Sequence, residues 1–355
     1  MSQLFQPLRQ RDIVLRNRIA VSPMCMYSSV DGLPGDWHLV HLGSRAAGGA
    51  GVVMTEAAAV CPEGRISPQD AGMWNEAQAA AWAPIARFIA AQGAVPAMQL
   101  AHAGRKASTH APWRGDGAVP VADGGWTVVA PSAAAYADHY PQPQELDAEG
   151  IARVVAGFRA AAARALEADF KLVEIHAAHG YLLHQFLSPL ANRRGDAWGG
   201  GFEGRTRIVR DVVSAVREVW PERLPLWMRI SATDWVDGGW DVEQSVELAR
   251  SVKALGVDLI DASSGGLDRR QQIEPRPGYQ VPFAARIRRE ADIATGAVGL
   301  VTEAAQAERI VASGDADVVL LARESLRDPY FPMRAARVLG VTPVVPVQYQ
   351  RAWGG

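Results

Sequence analysis

Residues 171–181 read Lys171-Leu172-Val173-Glu174-Ile175-His176-Ala177-Ala178-His179-Gly180-Tyr181. The aliphatic, β-branched run over 171–176 predicts a buried strand. It stops abruptly in two histidines, a glycine and a tyrosine. An apolar run that ends in reactive side chains suits a parallel α/β fold, where ligand-facing residues collect at the C-terminal ends of the strands.

Seven further runs of the same kind lie at 18–21, 51–56, 95–100, 226–230, 257–261, 293–298 and 317–322. Helical patterns separate them, over 37–47, 76–92, 147–168, 202–219, 241–255, 281–291 and 303–313, with a last one near 331–339. Asp147, three residues before Gly150, supplies part of a helix-starting box but without the usual Glu. No G-x-G-x-x-G follows an early strand, and Gly48-Gly49-Ala50-Gly51 precedes the second strand, so it reads as a helix-ending turn. Eight strand–helix repeats without a dinucleotide turn predict a closed (β/α)₈ TIM barrel, one domain over 1–355. Residues 103–146, rich in Ala, Pro, Gly and Trp, break the rhythm after the third strand. A segment this long is expected on the catalytic face, as a loop that covers it.

Composition narrows the function classes. The 355 residues are 48% hydrophobic and 21% charged, with a formal net charge of −2, so nothing favours a polyanionic partner. Arg286-Ile287-Arg288-Arg289 reads as a solvated helix face, not a nucleic-acid site. Two cysteines, Cys25 and Cys61, make no disulfide scaffold and fit a reducing compartment. No uninterrupted apolar span and no signal-like N-terminus are visible, so a soluble, cytoplasmic protein with no membrane association is expected.

The predicted strand ends read Pro23-Met24-Cys25, Glu56-Ala57, Gln99, His176 to His179, Arg229, Ser263-Ser264-Gly265, Gly299 and Arg323. Nearly every end thus carries a polar, reactive or glycine group. Blander readings stand beside the functional ones. Cys25 and Cys61 suit buried apolar positions, Arg229 suits an ion pair inside the barrel, and Tyr181 suits simple packing at a loop base. His176 and His179 are three apart, but they lack the Glu of H-E-x-x-H and a cysteine cluster, so no metal is expected.

Four stretches together resemble the old yellow enzyme family, in its bacterial branch of short chains, of NADPH dehydrogenase and xenobiotic reductase type. They are Ser22-Pro23-Met24-Cys25-Met26-Tyr27, Gln99-Leu100-Ala101-His102-Ala103-Gly104-Arg105-Lys106, the run from His176 to Tyr181, and Arg323-Glu324-Ser325-Leu326-Arg327-Asp328-Pro329. The resemblance covers about Leu4 to Trp353. It implies bound FMN above the barrel and an ene-reductase cycle of ping-pong type. In that cycle hydride passes from NADPH, or NADH, through flavin N5 to the β-carbon of an α,β-unsaturated carbonyl or nitro compound.

The resemblance also assigns roles. Ser22, Pro23, Met24 and Cys25 would run beside the flavin ring, with Cys25 near N5 and Ala57 beneath the cofactor. Gln99 would pair with the pyrimidine edge through both ends of its amide. Arg229 would face N1 and the O2 carbonyl, where reduction places negative charge. Gly299, Ala322 and Arg323 would hold the phosphate; the family usually has Gly-Arg where this chain has Ala322-Arg323, which puts the backbone contact there in question. His176 and His179 would clamp the substrate oxygen, Tyr181 would protonate the α-carbon, and Tyr27 would touch the ligand, with Lys106 and His102 as weaker candidates for the same face. The aromatic tail over 341–355 would lie at a subunit interface and insert Arg351 into a neighbour's site, implying a homodimer or tetramer. Two alternatives remain: a flavin- or phenol-binding sensor without turnover, and a flavin-free barrel lyase or hydrolase.

Overall fold

The computed structural model describes Met1–Trp353; Gly354 and Gly355, the last two residues of the predicted tail, lie outside the described residues. Eight parallel strands close into a barrel in sequence order. They are β1 (Ile19–Val21), β2 (Val52–Ala59), β3 (Val95–Ala101), β4 (Leu172–Ala177), β5 (Leu226–Ser231), β6 (Leu259–Ser263), β7 (Ala294–Ala297) and β8 (Val318–Leu321). Eight helices surround them: α1 (Asp36–Ala47), α2 (Glu76–Ala91), α3 (Ala148–Glu167), α4 (Phe202–Val219), α5 (Val242–Ala254), α6 (Val281–Ala291), α7 (Ala304–Ala312) and α8 (Phe331–Val338). The predicted TIM barrel is therefore correct. Asp147 caps α3, its carboxylate accepting the Gly150 amide at 2.7 Å.

The strands were legible because both their faces are buried, by helices outside and by side-chain layers inside, so they read as near-continuous apolar runs. A hairpin that the sequence did not announce closes the floor. Leu8–Gln10 pairs antiparallel with Ile13–Leu15, and Leu15 joins Ala20, Val52, Met54, Leu172, Trp227, Leu259 and Leu320 in a cluster separate from the main core. Trp227 is fully buried there and donates its indole N–H to Gln10 Oε1 at 2.6 Å.

Period-two alternation turns the next inward position of each strand into a polar layer. Above Leu172, Trp227 and Leu259 stand Glu174, Arg229 and Asp261, all buried, with Gln99 beside them. Arg229 pairs with Asp261 through Nε and donates from Nη2 to Ser22 Oγ at 2.7 Å. Gln99 Nε2 donates to Glu174 Oε1 at 2.8 Å. One cation faces two carboxyls, and Glu174 Oε2 and Asp261 Oδ1 are buried without partners. A proton on Glu174, directed at Asp261, satisfies both atoms and balances the charge. Burial, reinforced by Asp261, accordingly pushes the Glu174 carboxyl up to about 8.

The segment after β3 is tied by hydrogen bonds to the segments that follow β4 and β6. It carries a short parallel pair, Val129–Ala130 with Gln144–Glu145. Arg105 donates to the Leu267 carbonyl, Lys106 to the carbonyls of His179 and Gly266, and Ser132 accepts the Arg193 amide. Among the described residues no helix is long and apolar enough to cross a membrane.

Three outcomes follow from this interior. Trp227→Ala is expected to lower unfolding stability by about 3–5 kcal/mol, and Gln10→Ala by about 1–3 kcal/mol through the orphaned indole N–H, both measured by urea denaturation. Because the folded Glu174 pKa lies above its ordinary 4.5, the folded state holds an extra proton between about pH 4.5 and 8, and stability from this group falls as pH rises across that window. Glu174→Gln, which mimics the protonated acid, is expected to gain melting temperature relative to the parent between pH 5 and 9. A constant difference across that range would contradict the buried proton.

Candidate active site

The strand ends converge on a cavity of about 320 Å³ at the mouth of the barrel, lined among others by Ser22, Pro23, His179, Arg229, Gly299 and Arg323. Several loops there hold residues at positive φ that L side chains rarely adopt: Tyr27 at 49°, His179 at 57°, Trp235 at 57° and Leu300 at 52°. Such strain persists only where surrounding contacts over-determine the backbone.

At β4, the chain leaves the strand at Ala177 and reverses through His179 and Gly180, both left-handed, before a short helix at Leu182–Leu187. Gly180 is needed twice, for its φ of +73° and because a Cβ would stand 2.1 Å from the Gly266 carbonyl oxygen. This turn brings His176, His179 and Tyr181 together. The His176 ring lies 5.2 Å from the His179 ring and 5.1 Å from the Tyr181 ring, both edge-on. Burial, then neighbouring cations and histidines, lowers both histidine pKa values well below the ordinary range, so both rings are neutral. Burial raises the Tyr181 phenol, which stays protonated. Lys106 stands over the Tyr181 ring at 5.2 Å, and desolvation brings its amine down to about 8.

At β1, Cys25 and Tyr27 ride on a loop tied down from β2. Glu56 Oε2 accepts the Met26 amide at 3.1 Å, and Oε1 lies 2.9 Å from His38 Nε2. His38 Nδ1 accepts the Gly35 amide at 3.0 Å, so its proton sits on Nε2 and is donated to Glu56. Burial keeps Cys25 a thiol, with Asp70 and Glu56 adding to the effect. Met24 packs against the main core. Tyr27 meets Trp113 of the excursion edge-on at 5.5 Å. Ala57, Ile66, Asp70 and Tyr181 line a small adjoining cavity of about 10 Å³, where burial raises the Asp70 carboxyl to about 8.

The residues suit FMN. Gly299 at φ +121° leaves a cradle that a Cβ would fill, at 2.9 Å from Gln280 Nε2. Ala322 has φ −98° and ψ −97°, so its φ stays out of the left-handed region that calls for glycine. Arg323 lines the cavity without an ion pair among the described residues, a cation open to a phosphate. Ser22, Gln99 and Arg229 offer polar groups to a pyrimidine edge, although each is already engaged. The Ser22 hydroxyl accepts from Arg229, Arg229 is ion-paired, and one Gln99 N–H goes to Glu174. The ion pair and the ligand-facing position of Arg229 are thus one arrangement.

Arg351 is not brought to this site within the chain. It is exposed on a terminal turn, and Trp353 of that turn stacks with Arg337 at 4.8 Å. His102 and Cys61, given no firm role, meet Glu63 with ligand atoms within 4.8 Å of one another. His102 Nδ1 accepts the Gly104 amide, which leaves the proton on Nε2 and suits that nitrogen poorly to a metal. Sequence inspection missed Gln280, whose carbonyl accepts from Ser264 at 2.5 Å and whose amide donates to Val298. It lies at the start of α6, away from any strand end, so no pattern marked it.

Residues 3–340 match the NADH:flavin oxidoreductase / NADH oxidase family. The chain is 48% identical to the NADPH dehydrogenase of Listeria innocua, over 99% of this chain and 100% of the relative. It is 45% identical to the NADPH dehydrogenase of Bacillus subtilis, over 99% of each. Morphinone reductase superposes with a TM-score of 0.80 at 28% identity, over 97% of this chain and 91% of that one. The barrel fold and a full-length match agree: the chain belongs to the NADH:flavin oxidoreductase family of old yellow enzymes, as a flavin-dependent oxidoreductase of NADPH dehydrogenase class.

Proposed function

We propose that this enzyme is an FMN-dependent ene-reductase that uses NADPH to reduce alkenes activated by a carbonyl or nitro group. The observation that carries the reading is the juxtaposition of two neutral histidines and a protonated tyrosine beside the cavity of Arg229, Gly299 and Arg323. FMN, when bound, supplies hydride transfer, first accepting from the nicotinamide and then delivering to the β-carbon of the alkene.

The chain's own residues do the rest. His176 and His179 each direct one N–H at the carbonyl or nitro oxygen, on which negative charge builds as the β-carbon is reduced. Neutral donors aimed there stabilise the transition state more than the ground state. Tyr181 gives its proton to the α-carbon. The Lys106 ammonium over its ring face favours the phenolate left behind. Arg229, with Ser22 and Gln99, would hold the pyrimidine edge and set a positive potential there. Tyr27 would border the substrate, Ala57 would lie beneath the flavin, and Cys25 would border its reactive edge. The nicotinamide and the alkene occupy one site in turn, which accounts for a barrel without a dinucleotide-binding turn. The exposed Arg351 reaches the site of a second subunit in a homodimer or a tetramer.

The purified protein is expected to be yellow, bleached by NADPH and recoloured by cyclohexenone; a colourless protein that FMN cannot reconstitute would refute the reading. Tyr181→Phe should slow reoxidation by the alkene about 10²-fold or more while leaving reduction by NADPH nearly unchanged, as read by stopped-flow absorbance. Equal slowing of both halves would remove its assigned role. Gly299→Ala should weaken FMN retention on dialysis while the barrel still folds, as judged by circular dichroism.

A further inference from the structure

A clamp of two neutral imidazoles has a proton-counting problem. Each ring carries a single N–H, and that hydrogen must sit on the nitrogen facing the substrate; otherwise a lone pair confronts the incoming oxyanion. For His176 the backbone solves this. The Ala178 amide approaches its Nδ1 at 3.3 Å, which leaves the proton on Nε2. His179 has no such amide. Its own backbone is pinned elsewhere, the N–H to Ser231 Oγ at 2.9 Å and the carbonyl to Lys106 Nζ at 2.9 Å. Its ring makes one hydrogen bond, between Nε2 and Ser263 Oγ at 2.7 Å.

That bond can run either way, and the surroundings of Ser263 decide it. If the serine accepts from Nε2–H, its own hydrogen has only Gln280 Oε1, at 3.5 Å. That oxygen already receives the Ser264 hydroxyl at 2.5 Å, and the amide cannot turn over because its Nε2 donates to the Val298 carbonyl at 3.0 Å. If the serine donates to Nε2, it makes one short, strong bond and needs nothing from Gln280. We infer that Ser263 is a positioning residue for the reaction: its hydroxyl donates to His179 Nε2, holds that ring in the Nδ1–H tautomer and thereby turns an N–H, not a lone pair, toward the substrate oxygen.

The inference rests on the clamp proposed above and adds its condition. A free neutral histidine side chain favours the Nε2–H tautomer, so the Nδ1–H form needs a dedicated partner. Ser263 is buried at the end of β6, two strands along the barrel from β4, and faces Gln280 and His179. The charged or titratable groups nearest the His179 ring are His176, Arg229, Lys106 and His184, and all of them disfavour a second proton on it. A neutral ring with one hydrogen is what makes the direction of the serine bond matter.

The test uses ¹⁵N-histidine-labelled holoenzyme, with the His179 signals assigned by their loss in His179→Ala. The parent and Ser263→Thr, which keeps the hydroxyl, should show a protonated Nδ1 and a bare Nε2. Ser263→Ala should shift His179 toward Nε2–H, and should bind 4-hydroxybenzaldehyde, whose phenolate mimics the developing oxyanion, at least about tenfold more weakly. Ser263→Thr should restore binding. A His179 of Nε2–H form in the parent, or a Ser263→Ala enzyme with unchanged tautomer and affinity, would overturn the inference. Failure of the clamp itself reads differently: the parent would then bind no phenolate, and His176→Ala would leave alkene reduction unchanged, whatever tautomer the spectrum shows.

Discussion

Arg229 is a permanent cation placed where almost no water reaches, and the mouth of this barrel is organised by the need to keep it there. A buried charge is tolerated only with partners whose geometry offsets its desolvation. Asp261 provides the opposite charge and Ser22 an acceptor, while Gln99 engages the second carboxyl, Glu174. Because one arginine cannot neutralise two carboxylates, a proton stays on Glu174. The same cation reaches upward, where it helps keep His176 and His179 neutral. The positive potential offered to a flavin edge and the neutral donors offered to a substrate oxygen are two consequences of one buried residue.

Barrel closure makes this arrangement affordable in space. Alternation along β4, β5 and β6 places Leu172, Trp227 and Leu259 in a dry floor and, two residues on, Glu174, Arg229 and Asp261 above it. Two residues further come His176, Ser231 and Ser263. The floor excludes water from below, and the polar layer lies between it and the strand ends. Each layer depends on the strand register, since a slip by one residue would exchange the charged side chains with the aliphatic ones that face the helices.

How much of this could be read without coordinates follows from the range of each interaction. The eight strands were readable because full burial writes itself into a local run of aliphatic residues. The His176–Tyr181 cluster was readable because six consecutive positions hold its chemistry, and its left-handed turn is marked by Gly180. The floor hairpin at Leu8–Leu15 escaped because three-residue strands leave no periodicity to detect. Expectations for Ser22 and Gln99 treated each as free to meet a ligand, whereas each already has a protein partner, and the ion pair read as the alternative for Arg229 is present. Ala322 had looked like a liability until its negative φ removed the need for glycine.

By itself the sequence determined the barrel, the order of its strands and the chemical types at their ends, because those properties follow from local composition and period. Only the tertiary structure decided which side chains share a hydrogen. The pairs Glu174 with Gln99, Glu56 with His38 and His179 with Ser263 lie 75, 18 and 84 residues apart. Their protonation and tautomers are set by distances of a few tenths of an ångström across strands. No local pattern encodes such distances, since they exist only once the barrel has closed.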